Sequence, residues 1–158
     1  MTPPLVRIVG VAAFFLLTAC ATVPRASDRI VQQSRTFVPP PGKANVYVLR
    51  PYNYIGSCCV WSVTLDFQEF GSLGLSSYLY GVVDSGDHVV GSFLHGASPT
   101  RAKFTAAAGR NYFFKISPGF ASLDIDPLDE EDGRRRVLDY TPSGDNRFEF
   151  LDAPPAPR

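Results

Sequence analysis

The strongest constraint on this chain is a run of short segments in which apolar and polar residues alternate, closely spaced and separated by turn-forming residues. Val60 to Phe67 sets the pattern: Trp61, Val63, Leu65 and Phe67 share one face, with Ser62, Thr64 and Asp66 on the other. A period of two sends successive side chains to opposite faces of a strand, so one face meets a core and the other meets solvent. Ala44–Arg50 (ended by Pro51), Tyr78–Val83, His88–Leu94, Arg101–Ala106, Tyr112–Ile116 and Ser122–Ile125 supply six more strand candidates. Asp84-Ser85-Gly86-Asp87 reads as a hairpin turn between two of them, and Gly109-Arg110-Asn111 as another turn. Aromatic residues at 13%, with 13 Gly and 14 Pro, favour strands over helices. The expectation is a mainly β fold, a sandwich or a barrel.

One short helix is expected near the C-terminal end, at about residues 127–140. Asp126 suits the N-cap and Pro127 the first helical position, where a missing N–H is harmless. Glu130–Arg134, Glu131–Arg135 and Asp132–Arg136 are i,i+4 pairs with the acid first, the order favoured by the helix dipole. Gly133 weakens this helix, and Thr141-Pro142 closes it. Arg147–Leu151 reads as a last extended segment, and Ala153–Arg158 as a proline-rich tail with little to bury.

The first twenty residues read as an address. Arg7 gives a positive start, and Ile8–Leu17 an apolar stretch too short to span a bilayer as a permanent helix, which takes about 20 residues. Leu17-Thr18-Ala19-Cys20 then matches the lipobox of bacterial lipoproteins. Leu17 suits an apolar peptidase pocket, Thr18 and Ala19 are small enough for the cleavage centre, and Cys20 supplies the thiol that takes lipid. Two or three acyl chains anchor firmly where one is marginal, at roughly 0.8 kcal/mol per buried CH₂. Ala21, rather than Asp, after the cysteine favours the outer membrane facing the periplasm over the inner membrane. Residues 21–42 carry Pro24, Pro39, Pro40 and Pro41 and no sustained period, and read as a tether. Ile30, Val31, Phe37 and Val38 would pack against the domain as an extended edge. The expected organisation is a cleaved signal peptide over 1–19, a lipid-anchored tether over 20–41, a domain over 42–152 and a tail over 153–158.

Residues 42–116 resemble a family of small bacterial lipoproteins built on a domain of unknown function. The pieces that carry the resemblance are Gly42-Lys43-Ala44, Val46-Tyr47-Val48-Leu49-Arg50-Pro51, Val63-Thr64-Leu65-Asp66, Gly86-Asp87-His88 and Ala108-Gly109-Arg110-Asn111-Tyr112-Phe113; Asp132-Gly133-Arg134 at a short helix also fits. The small envelope modules of PEGA-like and carboxypeptidase-regulatory-like type are a related comparison. The resemblance implies a seven-stranded β-sandwich of transthyretin or immunoglobulin type and no catalytic residues. This chain departs from the family at Asp66-Phe67-Gln68, where the family has Asp-Gly-Lys in a tight turn. The departure leaves Phe70 as a candidate exposed residue.

Fifteen basic and fifteen acidic residues balance, so no field exists to recruit nucleic acid. With Cys20 taken by lipid, Cys58 and Cys59 are the remaining thiols. Adjacent cysteines close only through a strained ring and lack the two-residue spacing of a metal or redox pair, so packing is the simpler reading. A small hydrolase or redox protein built from Cys58, Cys59, His88 and His95 is the competing class, and an accessory subunit of a secretion or surface-appendage assembly is a third. His88, beside Asp84 and Asp87, reads as a turn-shaping residue. The acids from Asp124 to Asp132 fail the calcium-loop register because Leu128 occupies a ligand position. Tyr52 and Tyr54, in a loop after a strand-ending proline, are candidate contacts for an envelope protein or glycan, together with Phe70; Tyr78 and Tyr80 are further aromatic candidates. The preferred reading is a lipid-anchored, non-enzymatic interaction or structural module that needs no cofactor and no metal.

Overall fold

The computed structural model describes residues 23–57, 59–93, 98–120 and 122–144. The signal segment, the lipobox with Cys20, Cys58, His95, Arg147–Leu151 and the proline-rich tail lie outside them. In chain order the elements are α1 (Asp28–Thr36), β1 (Ala44–Arg50), β2 (Trp61–Leu65), β3 (Gln68–Leu73), β4 (Ser77–Val83), β5 (Gly86–Phe93), β6 (Thr100–Ala106), β7 (Asn111–Pro118), β8 (Leu123–Leu128), α2 (Glu130–Asp139) and β9 (Thr141–Pro142).

The strands form two sheets, ordered β8-β7-β1-β4-β9 and β3-β2-β5-β6. β1 is antiparallel to β4 and parallel to β7. The first strand therefore lies between the fourth and the seventh. An immunoglobulin fold sets its first strand against its second, so the pairing here leaves the transthyretin-type arrangement of the two that were expected. The described strands number nine; the two beyond the expected seven are β3 and the two-residue β9.

Every residue of β1 is buried, because both faces of its sheet are covered. Ala44, Val46 and Val48 enter the core between the sheets, where they meet Trp61, Val63, Leu65, Phe70, Leu79, Phe114 and Ile116. Tyr47 and Leu49 point the other way, into a second cluster with Tyr78, Tyr80, Phe113, Ile30, Val31, Phe37 and Val137. The molecule thus has three layers: two helices, a five-stranded sheet and a four-stranded sheet.

Five sequence-based expectations change. Residues 28–36 form a docked helix where a tether was expected, burying Ile30, Val31 and Ser34 on the sheet and leaving Val38 exposed. The segment Asp84-Ser85 carries the chain from one sheet to the other, so it is a crossover link and not a hairpin turn. Asp126 and Pro127 belong to β8, where Pro127 stands on an edge strand that tolerates its missing N–H. The second helix begins at Glu130, capped by the Asp129 side chain accepting from the Asp132 N–H at 2.8 Å. Phe67 and Phe70 exchange roles. Asp66 and Phe67 are the two central residues of the β2–β3 hairpin, both at positive φ (52° and 65°) as a type I′ turn requires. That turn throws Phe67 out to solvent and starts β3 in a register that points Phe70 into the core, with no exposed surface.

Candidate functional site at the loop end of the sandwich

At the end of β1 stands Arg50, wholly buried. Its Nη1 donates to the carbonyls of Cys59 (2.5 Å) and Leu73 (2.9 Å), and its Nη2 to that of Gly56 (2.7 Å). Its guanidinium stacks on the Trp61 ring, 3.7 Å from the centroid. A planar, forked cation suits both tasks, since it stacks flat while its N–H groups reach several acceptors. One side chain thereby ties the 51–60 loop, which joins the two sheets, to the end of β3. The Asn53 side chain accepts from the Ile55 N–H and shapes the same loop.

The loop held in this way is apolar at its tip. Tyr52, Tyr54 and Ile55 are 69%, 85% and 69% exposed. Of the expected contact residues, Tyr52 and Tyr54 are therefore at the surface and together, whereas Phe70 is in the core. Tyr78 and Tyr80 lie beneath the helices. The Tyr78 hydroxyl meets Ser34 Oγ at 2.8 Å, and the Tyr80 hydroxyl donates to Asn45 Oδ1 at 3.1 Å. Tyr47 donates to the Ser34 carbonyl at 2.7 Å and stacks on Phe113. Burial pushes the Tyr80 phenol up to about 12 and raises Tyr47 and Tyr78 as well.

Cys59 is half-buried and packs against the inter-sheet core at this same end. His88 is at the other end, where Asp66 Oδ2 lies 2.7 Å from Nδ1 and the Asp84 carbonyl 3.0 Å from Nε2. Asp66 Oδ1 accepts from the Val89 N–H at 3.0 Å. Both ring nitrogens and both carboxylate oxygens are engaged in tying the hairpin turn to the 84–85 link. The length of β2, about 17 Å, separates His88 from Cys59, so these two cannot act as a nucleophile–base pair. A shallow groove of about 170 Å³ on the outer face of the four-stranded sheet, lined by Thr64, Phe67, Gly91, Phe93, Thr100 and Arg101, includes none of these groups. Among the described residues no three His, Cys, Asp or Glu side chains converge as metal ligands.

The acid–arginine run forms a solvated helix face. Glu130 pairs with Arg134 at 2.6 Å and Asp132 with Arg136 at 2.7 Å, as expected, whereas Arg135 pairs with Asp132 and not with Glu131. The Arg134 side chain beside Glu130 lowers that carboxyl, and Arg136 does the same to Asp132. Asp126 pairs with Lys115 at 3.3 Å.

No family model matches the chain. An uncharacterized protein of Haemophilus influenzae is similar to it, 26% identical over 135 residues that cover 82% of this chain and 78% of that protein.

Sequence reasoning missed three contributors to the loop end. Arg50 was read as the last residue of a strand, although a single cation inside a β-branched run just before proline is itself a signal. Ile55, next to Tyr54 in the same loop, was not singled out. Phe120, fully exposed in the β7–β8 link, was not singled out; β7 runs parallel to β1, so its C-terminal end lies beside Arg50 and the 51–60 loop.

Proposed function

We propose that the protein is a lipid-anchored component of the bacterial cell envelope, held by acyl chains on Cys20, and that it acts as a non-enzymatic interaction or structural module. The observation that carries this reading is the ordered run of Arg7, the apolar Ile8–Leu17 stretch and Leu17-Thr18-Ala19-Cys20. Several features support it. The domain is in place from Val23 onward, directly after the cysteine, so little chain stands between anchor and fold. A relative in a bacterium fits a bacterial processing signal. No described helix is long and apolar enough to cross a membrane. Of the groups that a hydrolase or redox site would use, the two described do not come together: His88 is engaged with Asp66, and Cys59 is a strand length away. The outer membrane, with the domain in the periplasm, is the favoured location on the strength of Ala21, and the partner would be an envelope protein or glycan.

Labelling cells with a palmitate analogue tests the anchor. The wild-type chain should take up label and appear as a shortened mature form. Cys20→Ser should lose the label and accumulate as the uncleaved precursor; normal processing of that variant would overturn the reading. Crosslinking of the tagged, lipidated protein in intact cells would then identify the partner.

A further inference from the structure

The two ends of the sandwich differ in chemistry. The strand ends joined by residues 51–60, 74–76, 94–99 and 119–122 lie side by side at the end marked by Arg50. None of these four links contains Asp, Glu, Lys or Arg, in a chain where 19% of residues are charged, although the exposed Asp124 carboxylate of β8 lies against Gly119. The opposite end carries Lys43 paired with Asp84, Asp66 with His88, and Arg110. Most exposed large apolar side chains gather at the uncharged end: Tyr52, Tyr54, Ile55, Phe93 and Phe120 belong to it, whereas Val38 and Phe67 are at the charged end and Leu138 is on α2.

The start of the described chain is at the uncharged end too. Val23 packs on Gly74, where a β-carbon would meet its Cγ2 at 3.2 Å. Gly74 directly follows Leu73, whose carbonyl shares the Arg50 guanidinium with Gly56 of the aromatic loop. A single side chain thus spans the gap between that loop and the strand end beside Val23. Cys20 precedes Val23 by three residues, which reach at most about 10 Å when extended.

We propose that this uncharged end is a membrane-seating surface, with Tyr52, Tyr54, Ile55 and Phe120 in the headgroup region of a phospholipid bilayer. The inference rests on the lipidation of Cys20. A link of three residues holds the domain against the bilayer, so some face of it must meet lipid. Tyrosine favours that interface, with its ring toward acyl chains and its hydroxyl in water, and an end without charged loops avoids the cost of desolvating them. Seated this way, the protein presents its charged end, with Lys43, Asp66, Asp84 and Arg110, to the surrounding compartment.

The lipidated full-length protein, reconstituted in vesicles of phosphatidylethanolamine and phosphatidylglycerol with brominated acyl chains, provides the test. Tryptophan is placed at the uncharged end in Tyr54→Trp and Phe120→Trp, and at the charged end in Val38→Trp; wild-type protein gives the emission of the buried Trp61 for subtraction. The first two variants should shift to the blue and lose most of their added emission to bromine, while Val38→Trp should lose none. If the protein floats with the vesicles but all three tryptophans behave alike, the seating surface is refuted and the anchor stands; that face then meets solvent or a protein partner. If the wild-type protein carries no lipid and does not float, the anchor fails, and the proposal with it.

Discussion

Phe113 lies so close to the backbone of Gly133 that a β-carbon at position 133 would come within 2.3 Å of its ring. Gly133 is buried on α2, and this contact sets how closely the helix approaches the sheet. In an isolated helix, Gly133→Ala would be favourable by up to about 1 kcal/mol. Here the Phe113 ring is also stacked on Tyr47, with ring centroids 4.7 Å apart, so it has little freedom to withdraw. Overpacking should dominate, with a net loss of about 1–3 kcal/mol in urea unfolding. A gain in stability from this substitution would show that the helix rides higher than the contact indicates.

The Arg50 clamp should be specific to arginine. Arg50→Lys keeps the charge but replaces a flat fork by a point ammonium, which cannot stack on Trp61 and reach three carbonyls at once. Each buried carbonyl left without a donor costs about 1–3 kcal/mol. Both Arg50→Lys and Arg50→Met should therefore lower the urea midpoint substantially and raise amide exchange across residues 51–57. Wild-type stability in Arg50→Lys would contradict the clamp.

Stability should fall at alkaline pH. Unfolded tyrosines ionise near 10, whereas burial holds Tyr80 up to about 12 and raises Tyr47 and Tyr78. Below pH ~10 both states keep their phenolic protons and the contribution is fully present. As pH rises from 10 through 12 the unfolded chain ionises first and binds fewer protons than the folded one. Unfolding free energy then drops by about 1.4 kcal/mol per pH unit for each tyrosine so held. Urea midpoints measured at stepped pH should decline over this window, and Tyr80→Phe should make the decline shallower. A midpoint that stays level to pH 12 would mean that these hydroxyls are open to water.

The strands of the inter-sheet core were legible because alternation is a local property. Trp61, Val63 and Leu65 declared their inward face without reference to the rest of the chain, and the structure buries all three. Phe67 obeyed the same alternation and is exposed, because a two-residue turn reverses the chain before it. The first helix was illegible for a related reason. Its buried stripe is Ile30, Val31 and Ser34, only two apolar residues and a serine, among prolines that suggested a tether. What makes that stripe sufficient is the row of Tyr47, Tyr78 and Tyr80, in which the Tyr47 and Tyr78 hydroxyls give Ser34 its partners. No local pattern announces that a serine on one element will meet tyrosines on two distant strands.

At the candidate site, the sequence marked Tyr52 and Tyr54 as loop aromatics and paired the acids of α2 with two of the three arginines correctly. It did not gather Ile55 and Phe120 beside them, since they lie on different links that only the parallel β1–β7 pairing brings together. By itself, then, the sequence determined the mainly β character and most strand positions, which depend on residues within one turn or strand of each other. The tertiary structure decided which links cross between sheets, that residues 28–36 cover a sheet, and that the strand ends joined by the uncharged links gather at the end where Val23 packs. Those outcomes depend on which distant surfaces exclude water from each other, and that selection is made only when the whole chain packs.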